Sequence, residues 1–309
     1  MSEFSKKHFV FDKPMDSVEL TQYTNLLMQN YPELTVMELG NSILGKTIPL
    51  IAIGRGKNKV LYVGAHHGME WITSIVLLQF ITEFCELMRK KEKVYKKSLS
   101  LLTEQYTIYV VPMLNPDGVD YQIRGVQKEN PLYDRVRSMN GGSFDFSTWQ
   151  ANARGVDLNH NYNAGFQEYK QIEAEKNIPC GAPRRYSGQE PESEPEVRAL
   201  CNFIRCQNDL RLVLTLHTQG EEIFCHPKEN VILRNFLALS RISALTGYKI
   251  SEAEGFAAHG GLTDWCTQRQ GIFALTLECG KGVNPLPISD HKAIYYRLRE
   301  TLFTAPTLF

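Results

Sequence analysis

The stretch GAHHGMEW, Gly64 to Trp71, holds two adjacent histidines and a glutamate three positions after the second. A His and a Glu three apart on a turn can aim an imidazole nitrogen and a carboxylate at one point, and zinc favours such ligands. That spacing is common, so its weight depends on a third donor at an equivalent place. LRLVLTLHT carries His217 where an apolar run gives way to polar residues, and IFALTLECG carries Glu278 in the same setting. A carboxylate ending an apolar run is costly unless it is solvated, paired or working. The expected chemistry is therefore that His67, Glu70 and His217 hold one zinc ion and leave a position for water. Zinc lowers the pKa of such a water and polarises a substrate carbonyl. Glu278 would be the general base, taking the water proton and passing it to a leaving amine. This is amide hydrolysis without a covalent intermediate. His66 competes with His67, and spacing alone does not choose. Alternation along the backbone lets only one of the two neighbours reach the metal.

These residues need elements that bring them to one place. Four runs are nearly all apolar: VLYVGA from Val60, YTIYVVPML from Tyr106, LRLVLTL from Leu210 and IFALTLE from Ile272. Such runs suit strands buried on both faces of a sheet covered by helices. TVMELG and TIPLIAIG flank NSILGK and read as a hairpin. Helical spacing of apolar residues predicts helices over Val18–Asn30, Trp71–Arg89, Glu194–Cys206, Val231–Thr246 and Asp290–Thr304, with Gly247 as a stop signal. Alternating strands and helices predict a single α/β/α sandwich over residues 1–309, around a mixed, mostly parallel twisted sheet, with residues 1–33 as a helical segment packed on it. Strand ends in such sheets are where sites form. Residues 124–152 and 163–191 are rich in Gly, Asn, Pro and charge and read as long loops.

Lys and Arg number 34, as do Asp and Glu, so no basic excess is available for a nucleic acid. The seven cysteines contain no CxxC pair, which argues against a disulfide framework and for a reducing compartment. The N-terminus has no apolar core of signal-peptide length. The longest apolar region, Trp71 to Met88, carries Gln79, Glu83 and Glu86 and reads as a buried helix rather than a membrane span. A cytoplasmic protein is expected, with no nucleic-acid or membrane partner. Oligomeric state is not encoded in any of these signals.

Taken together, the motifs resemble those of the carboxypeptidase A family of zinc carboxypeptidases. The family's His-x-x-Glu-Trp motif reads His67 to Trp71 here, which assigns His67 over His66. VPMLNPDGVDY resembles its Asn-Pro-Asp-Gly turn, GVDLNHNYNAGF its Gly-Val-Asp-x-Asn segment, and GGLTDW its Gly-Gly-x-x-Asp-Trp stretch. His217 and Glu278 match the third ligand and the catalytic glutamate. The matches run in order over nearly the whole chain and imply the same fold, one zinc ion per chain and peptide hydrolysis.

The departures are informative. The family's best-known members have Asn-Arg, with the arginine gripping a terminal carboxylate, where this chain has Asn159-His160. They have a tyrosine where Phe256 stands and an arginine where Met69 stands. Histidine is a poorer carboxylate clamp than a bidentate guanidinium. GGSFDFSTWQANARGVDLNHNY and YSGQEPESEPEVRAL resemble the bacterial branch that cuts γ-D-glutamyl-meso-diaminopimelate bonds in cell-wall peptides. The resemblance implies Asn159, His160, Phe256 and Asp264 as substrate-binding residues. It also implies Arg154 as the arginine that polarises the scissile carbonyl, with Arg124 and Arg135 as rivals. Glu221, Glu222, Arg184 and Arg185 are further charges available to a diaminopimelate side chain. Cys225, His226 and His259 read as packing or surface residues. The competing readings are a broad-specificity metallocarboxypeptidase, a zinc-dependent amino-acid deacylase and a metal-free peptide-binding module.

Overall fold

The computed structural model describes residues 10–225 and 233–309. In chain order the elements are α1 (Ser17–Asn30), β1 (Leu34–Asn41), β2 (Thr47–Ile53), β3 (Asn58–Val63), α2 (Ile72–Arg89), β4 (Lys93–Val94), β5 (Lys97–Ser98), α3 (Leu99–Gln105), β6 (Tyr106–Val111), α4 (Pro116–Arg124), α5 (Tyr133–Met139), α6 (Phe166–Glu175), α7 (Pro195–Arg205), β7 (Leu210–His217), β8 (Glu222–Phe224), α8 (Leu233–Thr246), β9 (Lys249–Ser251), α9 (Leu262–Trp265), β10 (Phe273–Glu278) and α10 (His291–Thr304). Of the expected helix Val231–Thr246, residues 231 and 232 lie outside the described residues.

The eight-stranded sheet has the order β1-β2-β6-β3-β7-β10-β8-β9. Its centre is parallel: β6 with β3, β3 with β7, and β7 with β10. Antiparallel pairing appears where β2 joins β6 and where β8 joins β10. The four apolar runs are the four central strands, and the alternation of their side chains feeds two cores. Val60, Tyr62, Leu212, Leu214 and Leu216 point to one side, against α1, α2, α3, α8 and α10. Leu61, Val63, Val213 and Ala274 point to the other, against α7, α9 and residues 158–164. Burial on both faces explains why these strands carry continuous apolar sequence. The architecture is an α/β/α sandwich around a mixed, mostly parallel sheet.

Local sequence sets the helix ends. Asp16 accepts from the amides of Val18 and Glu19 at 2.9 Å each, and Glu19 returns to the Asp16 amide, so α1 begins with a capping box. Asn115 caps α4 with Pro116 in its first turn. Gly247, with φ of +70°, follows α8. The segment Gly68–Arg89 has the length and apolarity of a membrane span. Its Ile75, Val76, Leu77, Phe80 and Phe84 are nonetheless wholly enclosed by the sheet and α10. Glu83 on its rim accepts from Arg299 and the Tyr295 hydroxyl of α10.

The two stretches that the sequence leaves without periodicity contain α5 and α6 and a separate aromatic cluster. Tyr121, Phe146 and the fully buried Trp149 pack together, and Trp149 Nε1 donates to the Ala151 carbonyl at 2.8 Å. Aromatic packing among turns has no repeat spacing, so it leaves no periodic trace.

Glu196, at the start of α7, is fully buried beside Glu194 and Asp117, and its carboxyl is pushed up to about 8, by burial first and then by those two charges. Its protonated form contributes stability that is fully present below the ordinary value of 4.5 and is lost as pH rises through about 8. Glu196→Gln is expected to flatten the fall in the urea midpoint across that window and to raise stability above it. An unchanged pH profile in the variant would show that Glu196 ionises normally.

Candidate metal centre and substrate cavity

The ligand loop is fixed by backbone contact before any side chain is considered. After β3 the chain continues beside the segment after β6: Gly64 N donates to Val111 O at 2.9 Å, Leu114 N to Gly64 O at 3.1 Å and Asn115 N to Ala65 O at 3.0 Å. The buried Asn115 side chain donates to the carbonyls of His66, Gln150 and Ala151 and accepts from Gly118 N. Gly68 N donates to Gln150 O at 2.9 Å. A Cβ at Gly68 would lie 2.3 Å from Gly118 O, and one at Gly118 would lie 2.2 Å from Ala151 O. Three chain segments therefore meet at distances that only glycine permits. A short 3₁₀ turn, Gly68–Glu70, then leads into α2 with His67 and Glu70 on one side of it.

His67 Nδ1 lies 2.8 Å from Glu70 Oε1, and His217 Nδ1 lies 3.0 Å from Glu70 Oε2 and 3.3 Å from His67 Nδ1. Ligand atoms of the three residues all fall within 4.8 Å of one another, and all three side chains are buried. Two imidazole nitrogens and a carboxylate converging on one point are a donor set that fits zinc. His66 turns away. Its Nε2 meets Tyr162 Oη at 3.0 Å, its Nδ1 meets Thr215 Oγ1 at 3.2 Å, and its ring stacks 5.2 Å from that of His217. The choice that spacing left open is made by Tyr162 and Thr215, and His66 backs the ring of His217.

Asp157 has a part that the sequence did not reveal. Its Oδ1 accepts from His67 Nε2 at 3.0 Å, while its carboxylate also receives the amides of Asn159 and Arg185. Such a bond fixes the tautomer that turns the Nδ1 lone pair toward a metal. Asp157 stands in the quoted Gly-Val-Asp-x-Asn segment, but its partner is 90 residues away. Burial opposes charge on all three groups. Even so, Glu70 and Asp157 hold the His67 pKa well above its ordinary value, and the histidines hold both carboxylates below theirs.

Glu278 ends β10 in register with His217 on β7, so adjacent parallel strands deliver both to the same sheet edge. Burial, and then the Glu70 charge, raise its carboxyl well above the usual range. A cavity of about 280 Å³ opens over these groups and is lined by His67, Glu70, His217, Glu278, Asn159, His160, Phe256 and Asp264 among others. His160 stacks on Tyr169 with ring centres 3.8 Å apart, and its Nδ1 donates to the His259 carbonyl at 2.8 Å. Burial lowers its pKa, which leaves a neutral ring with an acceptor at Nε2. Asn159 and Asp264 accept from the amides of Leu262 and Gly261 and tie that glycine loop to the cavity wall.

The structure does not bring Arg154 to this cavity. Asn152 Oδ1 accepts the amides of Arg154 and Val156, and the resulting turn sends the half-exposed Arg154 side chain toward Glu194, at 3.8 Å. Arg124 pairs with Asp16, and Arg135 is exposed on α5. Among the described residues, the arginines that line the cavity are Arg184 and Arg185. Cys225 is buried, and His226 lies outside the described residues.

Two outcomes follow from the His67 environment. Zinc binds the neutral imidazole, whereas Glu70 and Asp157 favour the protonated one, so zinc affinity is expected to rise with pH and binding to release protons. Calorimetry in buffers of different ionisation enthalpy reads this directly, and zero release would refute a protonated His67. Asp157→Asn is expected to weaken zinc binding about 10–100-fold, measured by competition with a chelator.

Residues 20–295 match the zinc carboxypeptidase family, Peptidase M14. The chain is 34% identical over 275 residues to gamma-D-glutamyl-L-diamino acid endopeptidase 1 of Lysinibacillus sphaericus, covering 87% of this chain and 66% of that protein. It is 28% identical over 260 residues to carboxypeptidase B of Bos taurus, covering 78% of this chain and 56% of the other. It therefore spans just under two thirds of the first relative's length and just over half of the second's. The crystal structure of carboxypeptidase A from Helicoverpa armigera superposes with a TM-score of 0.73 at 19% identity, over 99% of this chain and 76% of that one. With its family profile matched from α1 to α10 and a donor set that suits the metal, this chain belongs to the zinc carboxypeptidases.

Proposed function

We propose that this protein is a zinc peptidase that hydrolyses γ-D-glutamyl-meso-diaminopimelate bonds in cell-wall peptides. The observation that carries the hydrolytic reading is the convergence of His67, Glu70 and His217 beside Glu278 at one sheet edge. Zinc held by those three residues would polarise the scissile carbonyl and make a neighbouring water acidic. Glu278 supplies the proton traffic. A carboxyl raised by burial and by Glu70 is a better proton acceptor than an ordinary glutamate, and it can return the proton to the departing amine. Asp157 keeps His67 in the right tautomer, and His66 keeps the His217 ring in place.

The linkage rests on His160 and on the named activity of the Lysinibacillus relative. A neutral imidazole stacked on Tyr169 offers an acceptor where a terminal carboxylate would need donors. That disfavours ordinary C-terminal trimming and suits a substrate bearing an extra amine, as diaminopimelate does. The seven cysteines are free thiols, which supports a reducing setting, and a cytoplasmic site of action is part of the proposal.

The test is a mass-spectrometric cleavage assay with the zinc-loaded protein and L-Ala-γ-D-Glu-meso-diaminopimelate, beside a plain blocked dipeptide. Release of free diaminopimelate is expected. Glu278→Gln is expected to lower kcat by about 10²–10⁴-fold while zinc content stays unchanged, and chelation should abolish turnover. Cleavage of the plain dipeptide alone would make this an ordinary metallocarboxypeptidase.

A further inference from the structure

Two arginines line the cavity, Arg184 and Arg185, and neither has an assigned task. The neighbouring arginines are neutralised: Arg154 faces Glu194, and Arg205 pairs with Glu192. Among the described residues, Arg184 and Arg185 have no carboxylate partner. Arg185 is the better fixed of the two. Its amide donates to Asp157 Oδ2 at 3.2 Å, and its carbonyl accepts from Tyr169 Oη at 3.2 Å. Those bonds hold its backbone in the left-handed region, at φ of +69°, where an arginine does not rest without cause. Its guanidinium carbon sits 4.1 Å from the centre of the Phe256 ring.

Stacking on an aromatic face steadies a guanidinium without using its in-plane N–H donors. The fork that remains matches a carboxylate with two parallel hydrogen bonds. Asp157 and Tyr169 connect this residue directly to the wall that carries His67 and His160. That wall needs a donor for anions, because the neutral His160 has already given its Nδ1 proton to the His259 carbonyl.

We infer that Arg185 is the substrate-carboxylate receptor of this cavity, taking up the task that His160 cannot perform. The inference rests on the peptidase reading above and adds to it the residue that selects the substrate. A γ-linked glutamyl peptide supplies the right chemistry. Its glutamyl α-carboxylate is free because the bond runs through the side chain, and diaminopimelate brings carboxylates of its own.

The experiment compares kcat/KM for three tripeptides with the zinc-loaded protein. One is L-Ala-γ-D-Glu-meso-diaminopimelate, one carries an amide on the glutamyl α-carboxylate, and one carries amides on the diaminopimelate carboxylates. One of the amidations is expected to lower kcat/KM at least about 30-fold, and the arm affected identifies the carboxylate gripped. Arg185→Ala is expected to bring the free acid down to the level of that amide and to leave the amide unchanged within about threefold. Arg185→Lys, which keeps the charge but loses the fork, should recover only part of the discrimination. Zinc content and melting temperature of both variants monitor folding, and the comparison among substrates in the parent needs no variant at all.

Equal rates on all three tripeptides would overturn the inference and leave the peptidase reading standing. Discrimination retained in Arg185→Ala would also overturn it. Cleavage of the plain dipeptide alone would instead sink the wall-peptide reading. The same acid-against-amide comparison on that dipeptide, with and without Arg185, would then decide the role of this residue.

Discussion

The contact on which the rest depends is the meeting of three backbone segments at Gly68, Gly118 and Ala151, held by the side chain of Asn115. Nothing larger than hydrogen fits at the two glycines, so the ligand loop can sit in only one place relative to α4 and to the segment that leads toward Asp157. Buried carbonyls of that kind need donors, and one amide side chain serves three of them. The motifs His-x-x-Glu and Asn-Pro-Asp-Gly are thus two halves of one piece of packing, although α2, α3 and β6 separate them in sequence.

On that base the electrostatics divide into two arrangements. Around His67, Glu70 and Asp157, opposite charges stabilise each other so strongly that burial is overcome. At Glu278 the same burial is reinforced by Glu70 and outweighs the opposing charge of His67, so the carboxyl takes up its proton readily. Four neighbouring residues thereby acquire two different acid–base characters from environment alone. His66, one residue from a ligand, belongs to neither arrangement and acts through the ring it stacks against.

Much of this was legible in the sequence because the central strands are buried on both faces. Continuous apolar runs marked β3, β6, β7 and β10, and the polar residue that broke each of three of the boundaries was a site residue. Strands β8 and β9, at one side of the sheet, have three residues each, too short for any period to register. Asp157 was in view as part of a motif, but its function depends on His67, and proximity of that kind is created only by the fold. The arginines show the same limit. Arg154 was singled out by its place before Asn159, yet a turn at Asn152 carries it toward Glu194. Arg185 reaches the cavity because of a left-handed backbone angle and two hydrogen bonds to distant residues, neither of which leaves a pattern in the chain.

His67 and His217 are 150 positions apart, and they meet only when β3 and β7 have paired in parallel. Pairing over such separation is slow because the loop-closing entropy is spent before the contacts form. Zinc therefore finds its full donor set only once the centre of the sheet is built. It enters as a ligand of the finished molecule and deepens the native well by mass action, in proportion to the logarithm of free metal over its dissociation constant. Glu70 and Asp157 favour the charged form of His67 in the meantime, and zinc, which binds the neutral ring, competes with that proton.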